Sequence, residues 1–267
     1  MQNGLSKIYP SRKDFSLLHS YGATANGIPD NYSNYDGRII PNQDQLDGRF
    51  NPPTRPIPYG CTGETQTFDA GIQDNSLYYP ADFYFATPPG TDGQGRDIRD
   101  SLKTAITRGY QGLDGKIGNK RLAYFNCYGS GAIDDFDAVR IGLWINQIEK
   151  RNVSIGSWWY WGIYKQGDGI LPIPSFNTSE ASLHNYLCTG WKTINGVEYL
   201  ECIPWCGMES GNNGVVYISR VIFNALMGQP YTGSYTITKV QSVTPIPIGM
   251  TAIVDHLVSM IRQLFGL

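Results

Sequence analysis

A cysteine, a histidine and a glutamine can together build a site for thiol-based acyl transfer, and this chain carries them in the order Gln43, Cys61, His184. Cys61 lies in Pro58-Tyr59-Gly60-Cys61-Thr62-Gly63-Glu64, and His184 in Leu183-His184-Asn185-Tyr186-Leu187. The chemistry would be attack of a thiolate on an amide carbonyl, with the imidazole taking the thiol proton and the glutamine amide donating to the oxyanion. A free thiol has a pKa of about 8.5, so an attacking cysteine needs an imidazolium or a helix N-terminus beside it. The competing reading of Cys61 is a small buried core residue, which is what most isolated cysteines are.

The elements that must position these residues can be read from the pattern around them. Gly60-Cys61-Thr62-Gly63 followed by Glu64, Thr65 and Gln66 predicts a loop turning into a helix, with Cys61 at the positive end of its dipole. Residues 97–108 place Ile98, Leu102, Ala105 and Ile106 at helical spacing, with Gly109 as the stop. Residues 134–151 repeat the pattern with Phe136, Val139, Leu143 and Ile148. After Asn152 the texture changes. The aromatic and β-branched run Val153 to Trp161 predicts a strand, with further strands over 185–191, 198–203 and 215–219. Helices first and strands second predict an α+β fold of two lobes with a cleft between them.

Composition narrows the function classes. Of the 267 residues 16% are charged and the net charge is -2, so no basic surface argues for nucleic acid. Hydrophobic residues make up 41%, enough for a core that folds without staples. Five cysteines (61, 127, 188, 202 and 206) are an odd number without a regular framework, as expected of reduced thiols in a cytosol. Cys202 and Cys206 have no second metal-ligating pair nearby, so no metal or cofactor is expected. No apolar leader precedes Leu5 and no run approaches a membrane span, which predicts a chain made in the cytoplasm. Of the three histidines, His19 falls in the N-terminal stretch and His256 near the end, leaving His184 in the order a thiol site needs.

Taken together, the chain resembles the papain-like (C1-type) cysteine peptidases over about residues 28 to 228. Ile28-Pro29-Asp30 with Tyr35-Asp36-Gly37-Arg38 is similar to the start of the mature enzymes. Pro41-Asn42-Gln43-Asp44-Gln45 is similar to the stretch whose glutamine lines the oxyanion hole, which implies that role for Gln43, with Gln45 as the fallback. Gly60-Cys61-Thr62 matches the nucleophile at the start of the central helix, and His184 to Trp191 resembles the strand bearing the catalytic histidine. Gly207 to Ile218 resembles the family's closing motif. The resemblance implies a thiol peptidase or amidase with Cys61, His184 and Gln43 as its catalytic residues, acting on peptides or peptidoglycan cross-links.

The sequence departs from that pattern at one telling position. Read back without a gap from Gly207, the asparagine that orients the family's histidine falls on Pro204, and the tryptophan that shields it falls on Cys206. Proline offers no side-chain donor or acceptor. Glu201 is near in sequence, but three residues before Pro204 along a strand it should face the other side.

Three segments follow from these readings: an N-terminal arm over 1–27, a papain-like domain over 28–230, and a linker with an amphipathic helix over 231–267. In the last, Ile253, Leu257, Ile261 and Leu264 share one stripe behind Pro245 and Pro247. The stripe can fold back on its own domain or dock on a partner chain; without a basic face it is a poor membrane helix. A low-charge surface rich in Gly, Asn and Tyr also suits a structural or assembly protein of a phage tail or virion, with little or no activity.

Overall fold

The computed structural model describes residues 28–35, 60–90, 95–130, 133–144, 149–160, 167–173, 181–204 and 211–238. Five α-helices and nine strands occur among them. In chain order they are β1 (Tyr32–Ser33), α1 (Cys61–Asp74), α2 (Pro80–Ala86), α3 (Ile98–Thr107), β2 (Tyr110–Gln111), β3 (Ile117–Gly118), β4 (Ala123–Asn126) and α4 (Asp135–Trp144). Then follow β5 (Val153–Tyr160), β6 (Ala181–Ile194), β7 (Val197–Ile203), β8 (Val216–Ser219), α5 (Arg220–Met227) and β9 (Gly233–Thr238). The result is the α+β, papain-like arrangement that the sequence pattern predicts. No described helix is long and apolar enough to cross a membrane.

The helix limits have local causes. α1 starts directly on Cys61, and Asn75 ends it in the left-handed region at φ 51° with its N–H on the Gly71 carbonyl. Pro80 opens α2, where a missing N–H costs nothing. Asp97 caps α3 by accepting from the Arg99 N–H at 2.7 Å. Gly109, at φ 88°, closes α3 as its N–H reaches the Thr104 carbonyl at 3.2 Å.

Seven strands make one antiparallel sheet in the order β4-β9-β5-β6-β7-β8, with β1 added beside β6. The long strand β6 organises it. Its first half pairs with β5, from Tyr160↔Ala181 to Val153↔Cys188. Its second half pairs with β7, from Leu187↔Ile203 to Ile194↔Val197, across a turn in which Asn195 and Gly196 both have positive φ. Gly190 is needed where β1 crosses, since a Cβ there would sit 2.7 Å from the Ser33 Cα.

Apolar residues of α4, α5 and the sheet, among them Phe136, Val139, Trp159, Tyr186 and Phe223, form the larger core. A second core joins α1, α2 and α3 to Tyr235 and Ile237 of β9, and a third packs Phe68 and Ile72 of α1 on Leu187, Ile203 and Tyr217.

Three expectations need adjustment. Of the helix expected over 134–151, Asp135–Trp144 is described as helix and residues 145–148 lie outside the described residues, while Arg151 leads into β5. Helices do not simply precede strands: β4 comes before α4, and α5 lies between β8 and β9. The sheet also continues past residue 230, because β9 is hydrogen-bonded between β4 and β5, so 233–238 are core strand rather than linker. The arm over 1–27 and the helix expected over 251–267 lie outside the described residues.

Candidate active site

α1 is polar by composition yet buried along most of its length, which is tolerable only because its polar side chains find partners. Thr65 donates to the Asn185 carbonyl at 3.2 Å, and Gln66 donates to Ser154 Oγ at 3.0 Å. Asn185 donates to Ser154 Oγ at 3.0 Å and to the Ile155 carbonyl at 2.9 Å. Further along, Asp69 Oδ1 accepts from Asn152 at 2.8 Å and from Gln73 at 3.0 Å. These contacts fasten the first half of α1 to β5 and β6, where β6 carries His184 and Asn185.

Cys61 sits at the first position of α1 and keeps partial exposure. The backbone of Asn185, the residue after His184, favours negative charge on the Cys61 sulfur, as does Thr62. Burial pushes the thiol up to about 11; the Asn185 N–H works against that shift, and Glu64 adds to it. The nucleophile candidate is therefore a neutral thiol at rest. Gly63 allows the close crossing of α2 over this end of the helix, since a Cβ there would lie 2.9 Å from the Pro80 carbonyl oxygen and from Tyr84 Cβ.

His184 is 5% exposed and faces away from Asn185 by strand alternation. Its ring lies against Trp159, with centroids 5.6 Å apart and planes at 51°, and near Tyr186, at 6.4 Å and 23°. Its Nε2 lies 2.5 Å from the carbonyl oxygen of Pro204. A carbonyl can only accept, so Nε2 carries the proton and, in the neutral ring, Nδ1 carries the lone pair. Burial lowers His184 to about 4, against the opposing pull of the Pro204 carbonyl.

The structure thus sets the first turn of α1 against β6 at Asn185, the residue after His184. Gln43 and its fallback Gln45 lie outside the described residues. Pro204 takes up the position beside the imidazole that its alignment implied. Glu201 does turn away, its carboxylate accepting from Ser33 Oγ and from Thr189 Oγ1. Sequence reasoning missed Trp159 and the buried Gln66–Ser154–Asn185 group. The signal for Trp159 was its place in the aromatic run of β5, but nothing in the chain announced that it would face His184.

No family model matches the sequence, and no curated protein matches it significantly. Solved structures do match in fold. Xylellain, a cysteine protease from Xylella fastidiosa, superposes with a TM-score of 0.61 at 13% identity, covering 90% of this chain and 96% of that one. A procathepsin B from Trypanosoma congolense gives 0.59 at 9% identity over 88% of this chain and 87% of that one. Procathepsin L 3 from the larval midgut of Tenebrio molitor gives 0.54 at 10% identity, over 88% and 76%. With the helix start and the histidine strand meeting as they do, the chain has the papain-like cysteine-protease fold.

Proposed function

We propose that this protein is a papain-like cysteine peptidase or amidase in which Cys61 is the nucleophile and His184 its general base. The observation that carries the reading is that α1, which begins on Cys61, is bonded in its first turn through Thr65 to Asn185, the residue after His184. In the reaction, Nδ1 of His184 takes the thiol proton as sulfur adds to the amide carbonyl. The helix-terminal N–H groups favour negative charge on the sulfur and on the oxyanion. Collapse of the tetrahedral species returns the proton to the leaving amine, and water then releases the acyl group from Cys61. Gln43 is the proposed side-chain donor to the oxyanion. Peptides, including peptidoglycan cross-links, are the proposed substrates, and a phage tail or virion is the proposed setting.

One observation favours a second reading, a catalytically weak domain with a structural role. Burial holds both Cys61 and His184 in their uncharged forms, which leaves thiolate scarce near neutral pH. Labelling by a peptide-based electrophile, read by intact mass, separates the two. An active site gives single labelling that is lost in Cys61→Ala and kept in Cys127→Ala, because Cys127 is fully buried and its thiol is pushed up to about 12. Turnover of fluorogenic peptides should disappear with the label. Labelling that ignores Cys61→Ala would sink the peptidase reading and leave the structural one.

A further inference from the structure

β7 stops pairing with β6 at Ile203↔Leu187, two residues short of the ladder position that would face Asn185. The next carbonyl, that of Pro204, lies past the last ladder pair. It turns to the imidazole instead, at 2.5 Å from Nε2. Proline is well suited to this task. Its ring fixes φ near -65°, so the direction of its carbonyl depends on ψ alone. It also confines the preceding residue, Ile203, to extended backbone, which fits the last residue of a strand. Pro204 is itself buried, so water does not compete freely for its oxygen. On the ring's flank, Trp159 packs against the imidazole with centroids 5.6 Å apart.

We propose that Pro204 is a positioning residue for the Cys61–His184 pair: its backbone carbonyl, with Trp159 at the flank, holds His184 as the Nε2–H tautomer, the form whose Nδ1 can take the thiol proton. The proposal rests on the peptidase reading for its catalytic meaning but not for its geometry. No side chain at residue 204 is needed, because an amide carbonyl from the main chain offers the same kind of acceptor as a side-chain amide. The contact strengthens when the ring is protonated, since a hydrogen bond to a charged donor is worth more than a neutral one. It therefore steadies the imidazolium that forms while Cys61 attacks. Beside the imidazole lies the Tyr186 ring of β6, whose hydroxyl burial holds protonated.

The test alters the carbonyl without altering the side chains. Replacing the amide that follows Pro204 by an ester, through an α-hydroxy acid at position 205, weakens that oxygen as an acceptor. Nitrogen-15 spectra of histidine-labelled protein, assigned with His184→Gln, should show the Nε2–H tautomer in the unaltered chain. The ester should lower the titration midpoint of His184 by about half a unit or more, as expected for a weakened hydrogen bond to a charged ring. Turnover should fall by about 10-fold with its acid limb displaced to lower pH. Pro204→Ala keeps the carbonyl, so its acid limb should stay in place. An Nδ1–H tautomer, or an ester variant that melts normally and leaves the His184 titration unmoved, overturns the proposal. If the spectra behave as expected and the unaltered protein turns over no peptide, the positioning contact stands and the peptidase reading fails.

Discussion

Thr65, one turn into α1 from Cys61, donates its hydroxyl to the carbonyl of Asn185, the residue that follows His184 in β6. This bond fastens the first turn of α1 to the residue beside His184. Thr65→Val keeps the shape and removes the donor. It should lower stability by about 1–3 kcal/mol, the cost of losing a buried hydrogen-bond partner, measured by urea unfolding. The electrophile labelling rate at Cys61 should drop in the same variant. An unchanged unfolding midpoint would mean that Thr65 does not hold the two elements together.

Gly63 gives a case in which packing and helix propensity oppose each other. Propensity alone favours alanine in a helix by up to about 1 kcal/mol. The Cβ would, however, lie 2.9 Å from both the Pro80 carbonyl oxygen and Tyr84 Cβ, and neither is the free end of a flexible chain. Gly63→Ala should therefore destabilise, by about 1–3 kcal/mol as overpacking usually does. A rise in melting temperature would show that α2 yields to the added methyl without cost.

Asp69 and His184 should oppose one another in their effect on stability with pH. Burial raises Asp69 to about 6 from 3.8, despite its bonds from Asn152 and Gln73 and the nearby Arg121. Between about 4 and 6 the folded chain keeps this proton while the unfolded chain releases it, so stability falls as pH rises. Burial lowers His184 to about 4 from 6.5. Between those values the unfolded chain binds a proton that the folded chain refuses, so stability rises with pH. Each contribution is of the order of 3 kcal/mol across its window, and together they nearly cancel. Relative to the unaltered protein, His184→Gln should turn the slope between pH 4 and 6 downward, and Asp69→Asn should turn it upward. Urea midpoints measured every half unit test this; two slopes of the same sign would contradict it.

The fold was legible where a strong local pattern coincided with a chemical marker. Cys61 between Gly60 and Gly63 marked the start of α1, and the aromatic run marked β5. The hairpin turn Asn195-Gly196, with both residues at positive φ as such turns require, went unread between the two strands it joins. What else stayed hidden was non-local. Tyr231 to Thr238 follows a helix and a proline and looks like a tail, yet β9 is a central strand because β4 and β5 leave a gap that only it fills. α5 was similarly masked, since Val221, Ile222 and Phe223 are β-formers that the Ser219 cap turns into a helix. At the site, sequence order pointed to the cysteine and the histidine, but no residue type announces a backbone acceptor. That is why Pro204 read as a loss when its carbonyl lies on the imidazole.

The apolar stripe Ile253, Leu257, Ile261 and Leu264 remains the strongest candidate for contact with another chain. Burying four such side chains is worth about 6–12 kcal/mol before ordering costs, at about 1.5–3 each, so it should not stay in water. The core does not depend on it for its last strand. Thr238, which ends β9, is 2% exposed, its carbonyl accepts from the Leu122 N–H at 2.7 Å, and its hydroxyl donates to Glu149 at 2.8 Å. Deleting 250–267 leaves all of these contacts in place. The shortened protein should thus melt cooperatively within a few degrees of the full chain and lose only its self-association or partner binding, read by light scattering and co-purification with a candidate assembly. If it instead loses the cooperative transition, the stripe belongs to this domain's own core, and the docking role is wrong.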